Sequence, residues 1–280
     1  MERAIIFGAS DSGKLIYNSI KDTCEILYFV DQDSSKWGSE IFGYMVKNPE
    51  EIKNTVFDTV YIGVLTYYEE ILDLLLNMGI SRKSIDGTFI ESQLFPRIEC
   101  LKNVKTIFDI ENITEGNVAE LGVFRGDFAK EINRLWPDKK LYLFDTFEGF
   151  PLDDAKVEYS KGYSKTNRNG YFSNTTEELV LAKMQNPEKC IVKKGYFPET
   201  ALNIEDKFCF VNLDADLYAP TLAGLEFFYP RLVSGGVILV HDFFSKAFSG
   251  AREAVVEFTR KENLRAIPIG DTLSVAIRKE

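Results

Sequence analysis

The hydrophobic positions fall into short β-rich runs separated by helical stretches, the pattern of an α/β chain. From Arg3 the run RAIIF leads through the small-residue turn GASDSG to a helical stretch over 13–20 and a second run, ILYFV, ending at Asp31. That is one βαβ unit. A further run, DTVYIGV at 58–64, precedes the apolar-rich segment 67–78, giving a small Rossmann-like α/β domain over 1–86. Residues 87–115 sustain no period and are expected to be a linker holding any bridging helix. The alternation restarts in a second domain over 116–280: NVAEL, a helix over 126–136, LYLF at 141–144, a long polar stretch, CIVKK, FCFVNL, a helix over 222–228, and GGVILV. An apolar run at 266–269, a Gly270-Asp271 turn and TLSVAI at 272–277 read as a terminal hairpin with a two-residue loop.

Composition agrees with two folded domains. The chain has 280 residues, 45% hydrophobic and 27% charged, enough apolar content for cores without metals or disulfides. A net charge of −10, from 43 acidic against 33 basic residues, repels nucleic acid and anionic lipid and favours a small-molecule partner. Cys24, Cys100, Cys190 and Cys209 are far apart and form no CxxC, so they read as buried structural thiols. No charged start followed by an apolar stretch opens the sequence, and no run approaches the ~20 residues of a bilayer span, so a cytoplasmic location is expected.

The candidate chemistry is acidic and sits at strand ends. In VAELGVFRGDFAK, Glu120 ends a strand and Gly122 and Gly126 lead into a helix. A carboxylate there would repel a dinucleotide pyrophosphate but suits S-adenosylmethionine, which carries an ammonium and a sulfonium. Asp145, at the end of LYLF, is placed to accept hydrogen bonds from ribose hydroxyls, with Val123, Thr146 and Phe147 as neighbours of the same corner. The plain alternative is that Glu120 and Asp145 are solvated strand ends or helix caps. FVNLDADLYAP ends in Asp214 and Asp216, expected on one side of an extended strand, and GGVILV delivers His241 and Asp242 to the same edge. Such acids repel unless the sulfonium or a hard divalent cation such as Mg2+ joins them. Asp214, Asp242 and His241 are the candidate metal ligands, and Asp214 also faces the cofactor. Asp216 and His241 are the candidate catalytic groups. The alternatives are helix capping for the acids and a satisfied core position for His241.

Five ordered blocks carry a resemblance: ELGVFRGDFA at 120–129, FDTFEGFP at 144–151, KGYFPETA at 194–201, LDADLYAPT at 213–221 and SGGVILVHDF at 234–243. From about Val118 onward the chain resembles the macrocin O-methyltransferase family of sugar methyltransferases. The resemblance implies a class I methyltransferase sheet, whose inserted antiparallel strand the terminal hairpin would supply. It also implies S-adenosylmethionine as donor, Mg2+ dependence and a sugar or sugar-nucleotide hydroxyl as acceptor. Glu120, Gly122 and Gly126 would sit by the donor's methionine part, Asp145 on its ribose, Asp214 and Asp242 on the metal, with Asp216 as base. His241 departs from the family, where a second aspartate can stand, and imidazole is the softer ligand.

The polar stretch 152–176 is longer than an ordinary structureless loop and is expected to be a lid carrying Tyr159, Tyr163 and Tyr171. Near the N-terminus, GASDSGKL almost spells a phosphate loop, but Leu15 replaces the needed hydroxyl residue and Ser10 the middle glycine of a dinucleotide fingerprint. With YFVDQD and IFGYMV, this unit resembles the N-terminal domain of sugar-nucleotide acyltransferases. That implies a weak nucleotide site at Gly8, Ser10, Gly13 and Asp31, set against a purely structural or homo-oligomer-forming role. The competing functions are an NAD-dependent oxidoreductase working through this unit and a non-catalytic sugar-nucleotide-binding scaffold.

Overall fold

The computed structural model describes residues 1–65, 67–166 and 170–280, without the side chain of Gln93. It divides into two units, Met1–Phe95 and Pro96–Glu280. In the first, β1 (Glu2–Phe7), α1 (Asp11–Ile20), β2 (Cys24–Val30), β3 (Glu40–Ile41), β4 (Tyr44–Lys47), β5 (Thr59–Ile62), α2 (Tyr68–Asn77) and β6 (Ile85–Asp86) follow in order. The sheet order is β3-β4-β2-β1-β5-β6, parallel throughout except for the β3–β4 hairpin. The uninterrupted apolar run of β1 follows from burial on both faces. Ile5 and Phe7 pack with Ile71 and Leu75 of α2, whereas Ala4 and Ile6 pack with Ile16 of α1.

The division falls within α3 (Thr88–Ile110), a 23-residue helix with Pro96 inside it. The sequence offers no sustained period there, yet Leu101, Val104 and Phe108, spaced three and four apart, hold its later turns against the second core. The second unit continues with β7 (Asn117–Leu121), α4 (Ala129–Leu135), β8 (Leu141–Asp145), α5 (Leu152–Ser160), α6 (Glu177–Ala182), β9 (Cys190–Lys194), β10 (Phe208–Leu213), α7 (Tyr218–Arg231), β11 (Leu232–Val240), α8 (Gly250–Lys261), β12 (Ile267–Pro268) and β13 (Val275–Arg278). Its seven strands lie in the order β12-β13-β11-β10-β7-β8-β9, with β13 antiparallel between β11 and β12. Alternate residues of each strand again serve two cores. Leu121, Leu213 and Val240 face Leu225 and Phe228 of α7 and Val255 and Phe258 of α8. Val118, Phe210 and Leu239 face α3 and α4.

Three expectations change. The terminal hairpin has a six-residue loop rather than two, because Pro268 pairs with Val275. Asp271 closes that loop by accepting the amides of Leu273 at 3.0 Å and Ser274 at 2.7 Å. The polar stretch 152–176, expected to be a lid, begins as a helix, α5, and residues 167–169 of it lie outside the described residues. Finally, β10 stops at Leu213 and Asp216 adopts a left-handed backbone (φ 59°), so Asp214 and Asp216 do not alternate along a strand. Among the described residues, no helix is long and apolar enough to cross a membrane.

Candidate active site

Four parallel strands of the second unit end level. Leu121 pairs with Phe144 and with Leu213, and Leu213 pairs with Val240. The next residues are therefore Gly122, Asp145, Asp214 and His241, in one row along the carboxyl edge. The ladder carries one step past the strands: Gly122 donates to the Phe144 carbonyl at 2.9 Å, Asp214 to Leu121 at 2.8 Å, and His241 to Leu213 at 2.9 Å. Sheet register alone gathers residues up to 119 positions apart in sequence, and ligands of open α/β sheets bind at this edge.

At the first corner Gly122 has φ +83°, and a Cβ there would run into the Asp214 carbonyl, so only glycine permits this approach of β7 to β10. Glu120 is 1% exposed. Its Oε1 accepts from Asn212 at 2.7 Å, while Oε2 is buried without a partner. Burial and the Asp214 charge raise its pKa well above the usual carboxylate range. A buried carboxylate with one oxygen unsatisfied fits a ligand that brings a cation or an N–H donor. Asp145 accepts from the amides of Phe124 at 2.8 Å and Phe147 at 2.7 Å, which tie the Gly122–Gly126 loop to the end of β8. Burial raises its pKa and these amides oppose the rise. Val123 and Phe147 turn their side chains into the core, and the Thr146 hydroxyl donates to the Gly149 carbonyl at 2.8 Å.

At the second corner Asp214, His241 and Asp242 meet. His241 Nδ1 lies 3.0 Å from Asp214 and 2.9 Å from Asp242. Burial disfavours its charge, but the two carboxylates prevail and lift its pKa to about 10. Burial would raise Asp214; His241 and Arg97 instead hold it below the ordinary range. Asp216, half-buried beside Asp242 and Asp214, is pushed well above that range by desolvation and by those two charges. One ligand atom from each of Asp214, His241 and Asp242 lies within 4.8 Å of the others. Two carboxylate oxygens and an imidazole nitrogen at that spacing fit a divalent cation, the imidazole admitting Mn2+ or Fe2+ as readily as Mg2+.

Two residues escaped the sequence reading. Arg97, on α3 in the stretch expected as linker, sends Nη2 to Asn212 Oδ1 at 2.8 Å and Asp214 Oδ2 at 2.9 Å, its guanidinium 4.2 Å from the Phe128 ring. Asn212, wholly buried, thereby joins Glu120 to the second corner. An asparagine inside the apolar run FCFVNL was the available signal, since a buried amide needs partners.

A pocket opens over the Gly122, Asp145 and Asp214 part of the row, lined also by Thr146 and Asp216 among apolar walls that include Phe124, Phe150 and Phe172. Phe150 and Phe172 meet edge to face at 5.4 Å on the pocket wall, and of the two only Phe172 belongs to the polar stretch expected to be a lid. Tyr159 and Tyr171 are exposed.

In the N-terminal unit, Gly8, Ser10, Gly13 and Asp31 do come together. A Cβ at Gly13 would strike the Gly8 carbonyl, and Ser10 caps α1 while donating to the Gly63 carbonyl at 2.9 Å. Asp31 accepts from the Ala9 amide and pairs with Lys36, both at 2.9 Å. Their polar groups are thus engaged within the unit.

A seven-stranded sheet of this order, carrying an acid row beside a glycine turn, has the fold of the class I methyltransferases. Residues 88–279 match the model of the macrocin-O-methyltransferase (TylF) family, and the chain belongs to that family. Residues 1–86 match a C2185-like N-terminal domain. The chain is similar to the mycinamicin III 3''-O-methyltransferase of Micromonospora griseorubida, 26% identical over 166 residues covering 53% of this chain and 62% of that protein. It is also 26% identical over 153 residues to the 8-demethyl-8-(2,3-dimethoxy-alpha-L-rhamnosyl)-tetracenomycin-C 4'-O-methyltransferase of Streptomyces olivaceus, covering 51% of this chain and 58% of that one. The matched region thus spans less than two thirds of these relatives. Among solved structures, the O-methyltransferase NovP shares the fold with a TM-score of 0.55 and 23% identity, over 69% of this chain and 82% of NovP.

Proposed function

We propose that this chain transfers a methyl group from S-adenosylmethionine to a hydroxyl of a sugar or sugar nucleotide. The observation that carries the reading is the in-register row of Gly122, Asp145, Asp214 and His241, with the orphaned Glu120 oxygen behind it. Family membership and the relatives' names, one of which specifies a rhamnosyl compound, support the hydroxyl acceptor. Glu120 and the Gly122–Gly126 turn would hold the donor's methionine part and Asp145, Thr146 and the adjoining backbone its ribose, leaving the sulfonium near Asp214. When bound, the donor supplies an electrophilic methyl group; Asp214, His241 and Asp242 would hold a divalent cation, Mg2+ in the first instance, that lowers the pKa of a coordinated hydroxyl.

The chain's own contribution is positional and electrostatic. Arg97 and His241 balance the acids and offset their mutual repulsion. Asp216 takes the hydroxyl proton as the oxygen–carbon bond forms and the carbon–sulfur bond breaks. Burial and the neighbouring Asp242 and Asp214 raise its proton affinity above that of an ordinary carboxylate, which favours its accepting a proton. The phenylalanine walls exclude water from the reacting centre.

The internal use of Gly8, Ser10, Gly13 and Asp31 supports a structural role for the N-terminal unit over nucleotide binding. Four cysteines without disulfides support a cytoplasmic setting. The test is transfer from a methyl-labelled donor to a panel of nucleoside-diphosphate hexoses, with and without a chelator, beside calorimetry of S-adenosylhomocysteine. Transfer that Asp214→Asn abolishes is expected. No binding of S-adenosylhomocysteine, with or without divalent cation, refutes the reading.

A further inference from the structure

One carboxylate of the pocket stays outside the chemistry above. Asp154, in the first turn of α5, lines the pocket and is only 6% exposed. Its Oδ1 accepts from the Tyr196 hydroxyl at 2.9 Å, and its Oδ2 is buried with no hydrogen-bond partner. Burial pushes its pKa up. A helix-dipole role does not account for this placement, because the adjacent Asp153, 92% exposed, supplies a first-turn acid without any desolvation.

The face of α5 that carries Asp154 is fixed. Glu158, one turn later on the same face, accepts from the Tyr218 amide at 3.0 Å and the Gly250 amide at 3.1 Å, the first residues of α7 and α8. Tyr218 follows Asp216 by two positions. Asp154 is therefore turned toward the loop between β10 and α7, the side of the pocket where the hydroxyl is activated. The other pocket acids are engaged: Asp145 by amides, Asp214 by Arg97 and His241, and Asp216 by Asp242.

We propose that Asp154 Oδ2 accepts a hydrogen bond from a second hydroxyl of the acceptor, one not methylated, so that the enzyme selects polyhydroxylated molecules, with Tyr196 as a positioning residue. This rests on the methyl-transfer reading. Losing a hydrogen bond to a buried charged acceptor costs on the order of 10- to 100-fold in binding. Asp154→Asn is expected to raise the acceptor KM by about that factor, with S-adenosylhomocysteine affinity within about 2-fold and the melting curve retained. Tyr196→Phe, which leaves Oδ2 in place but loosens Oδ1, is expected to raise KM less.

The decisive measurement uses the nucleoside-diphosphate hexose best methylated by the wild type together with its mono-deoxy analogues. One deoxy analogue is expected to lose efficiency with the wild type and to lose none further with Asp154→Asn. If every analogue suffers equally in both proteins, or if Asp154→Asn weakens S-adenosylhomocysteine by the same factor as the acceptor, the inference is overturned while methyl transfer stands. Should the wild type methylate no member of the panel, both fail.

Discussion

Replacing Arg97 by methionine keeps most of the side chain's volume and removes its charge. The guanidinium's Nη2 serves a buried acceptor, Asn212 Oδ1 at 2.8 Å, and a half-buried one, Asp214 Oδ2 at 2.9 Å, with side-chain exposures of 10% for Arg97 and 23% for Asp214. Breaking one side of a buried ion pair typically costs about 3–5 kcal/mol, because the remaining charge stays in low dielectric. Asp214 keeps His241 at 3.0 Å as a second cation, so the lower end, about 3 kcal/mol, is expected here. For a domain of this size each kcal/mol lowers the melting temperature by about 2–4 °C, so calorimetry should place the transition of the Pro96–Glu280 unit about 6–12 °C lower. Asp214→Asn removes the charge that Arg97 balances, and the double variant should recover at least ~1 kcal/mol relative to the sum of the singles. A single variant within ~0.5 kcal/mol of the wild type, or strictly additive effects, would show that Arg97 is a solvated bystander.

Gly122→Ala should cost about 2–4 kcal/mol, from a left-handed backbone and a Cβ driven into the Asp214 carbonyl, and weaken S-adenosylhomocysteine with it; unchanged melting and calorimetry would refute the close approach. Burial raises the pKa of Glu158 against the two amides it accepts, so the folded state holds the proton more tightly than the unfolded chain. Stability from this group is then greatest below the ordinary glutamate value and falls as pH rises through the raised one. The stability advantage of wild type over Glu158→Gln should therefore narrow as pH rises above the ordinary glutamate value in urea titrations, and a gap that widens contradicts the assignment.

The sequence showed its α/β alternation and acid-tipped strands because parallel strands buried on both faces are continuous apolar runs, and the residue after each run stands at the sheet edge. Asp145, Asp214 and His241 were legible for that reason, whereas Glu120 lies within β7, behind the edge. Asp216 was located, but for the wrong geometry: its left-handed turn after Leu213 cannot be read from alternation. Arg97 was hidden because Pro96 and weak periodicity mask α3, and because its partners lie 115 and 117 positions away. Asp154 looked like one more charge in a polar stretch, and only the packing of α5 distinguishes it from the exposed Asp153. The terminal loop misled because Asp271 closes six residues with side-chain bonds that imitate a tight turn.

The level strand ends act as a ruler. Asp145, Gly122, Asp214 and His241 stand on β8, β7, β10 and β11, and the three gaps between these neighbours span about 14 Å at the usual inter-strand spacing. Backbone hydrogen bonding sets that length, with glycine required at position 122 for the approach of β7 to β10. The interval between the two corners is therefore a property of the sheet, whereas α5, with Asp154 on its pocket side, joins the site from outside the sheet. Under the proposed methyl transfer, substitutions on α5 should alter acceptor preference while leaving the spacing of the strand ends unchanged.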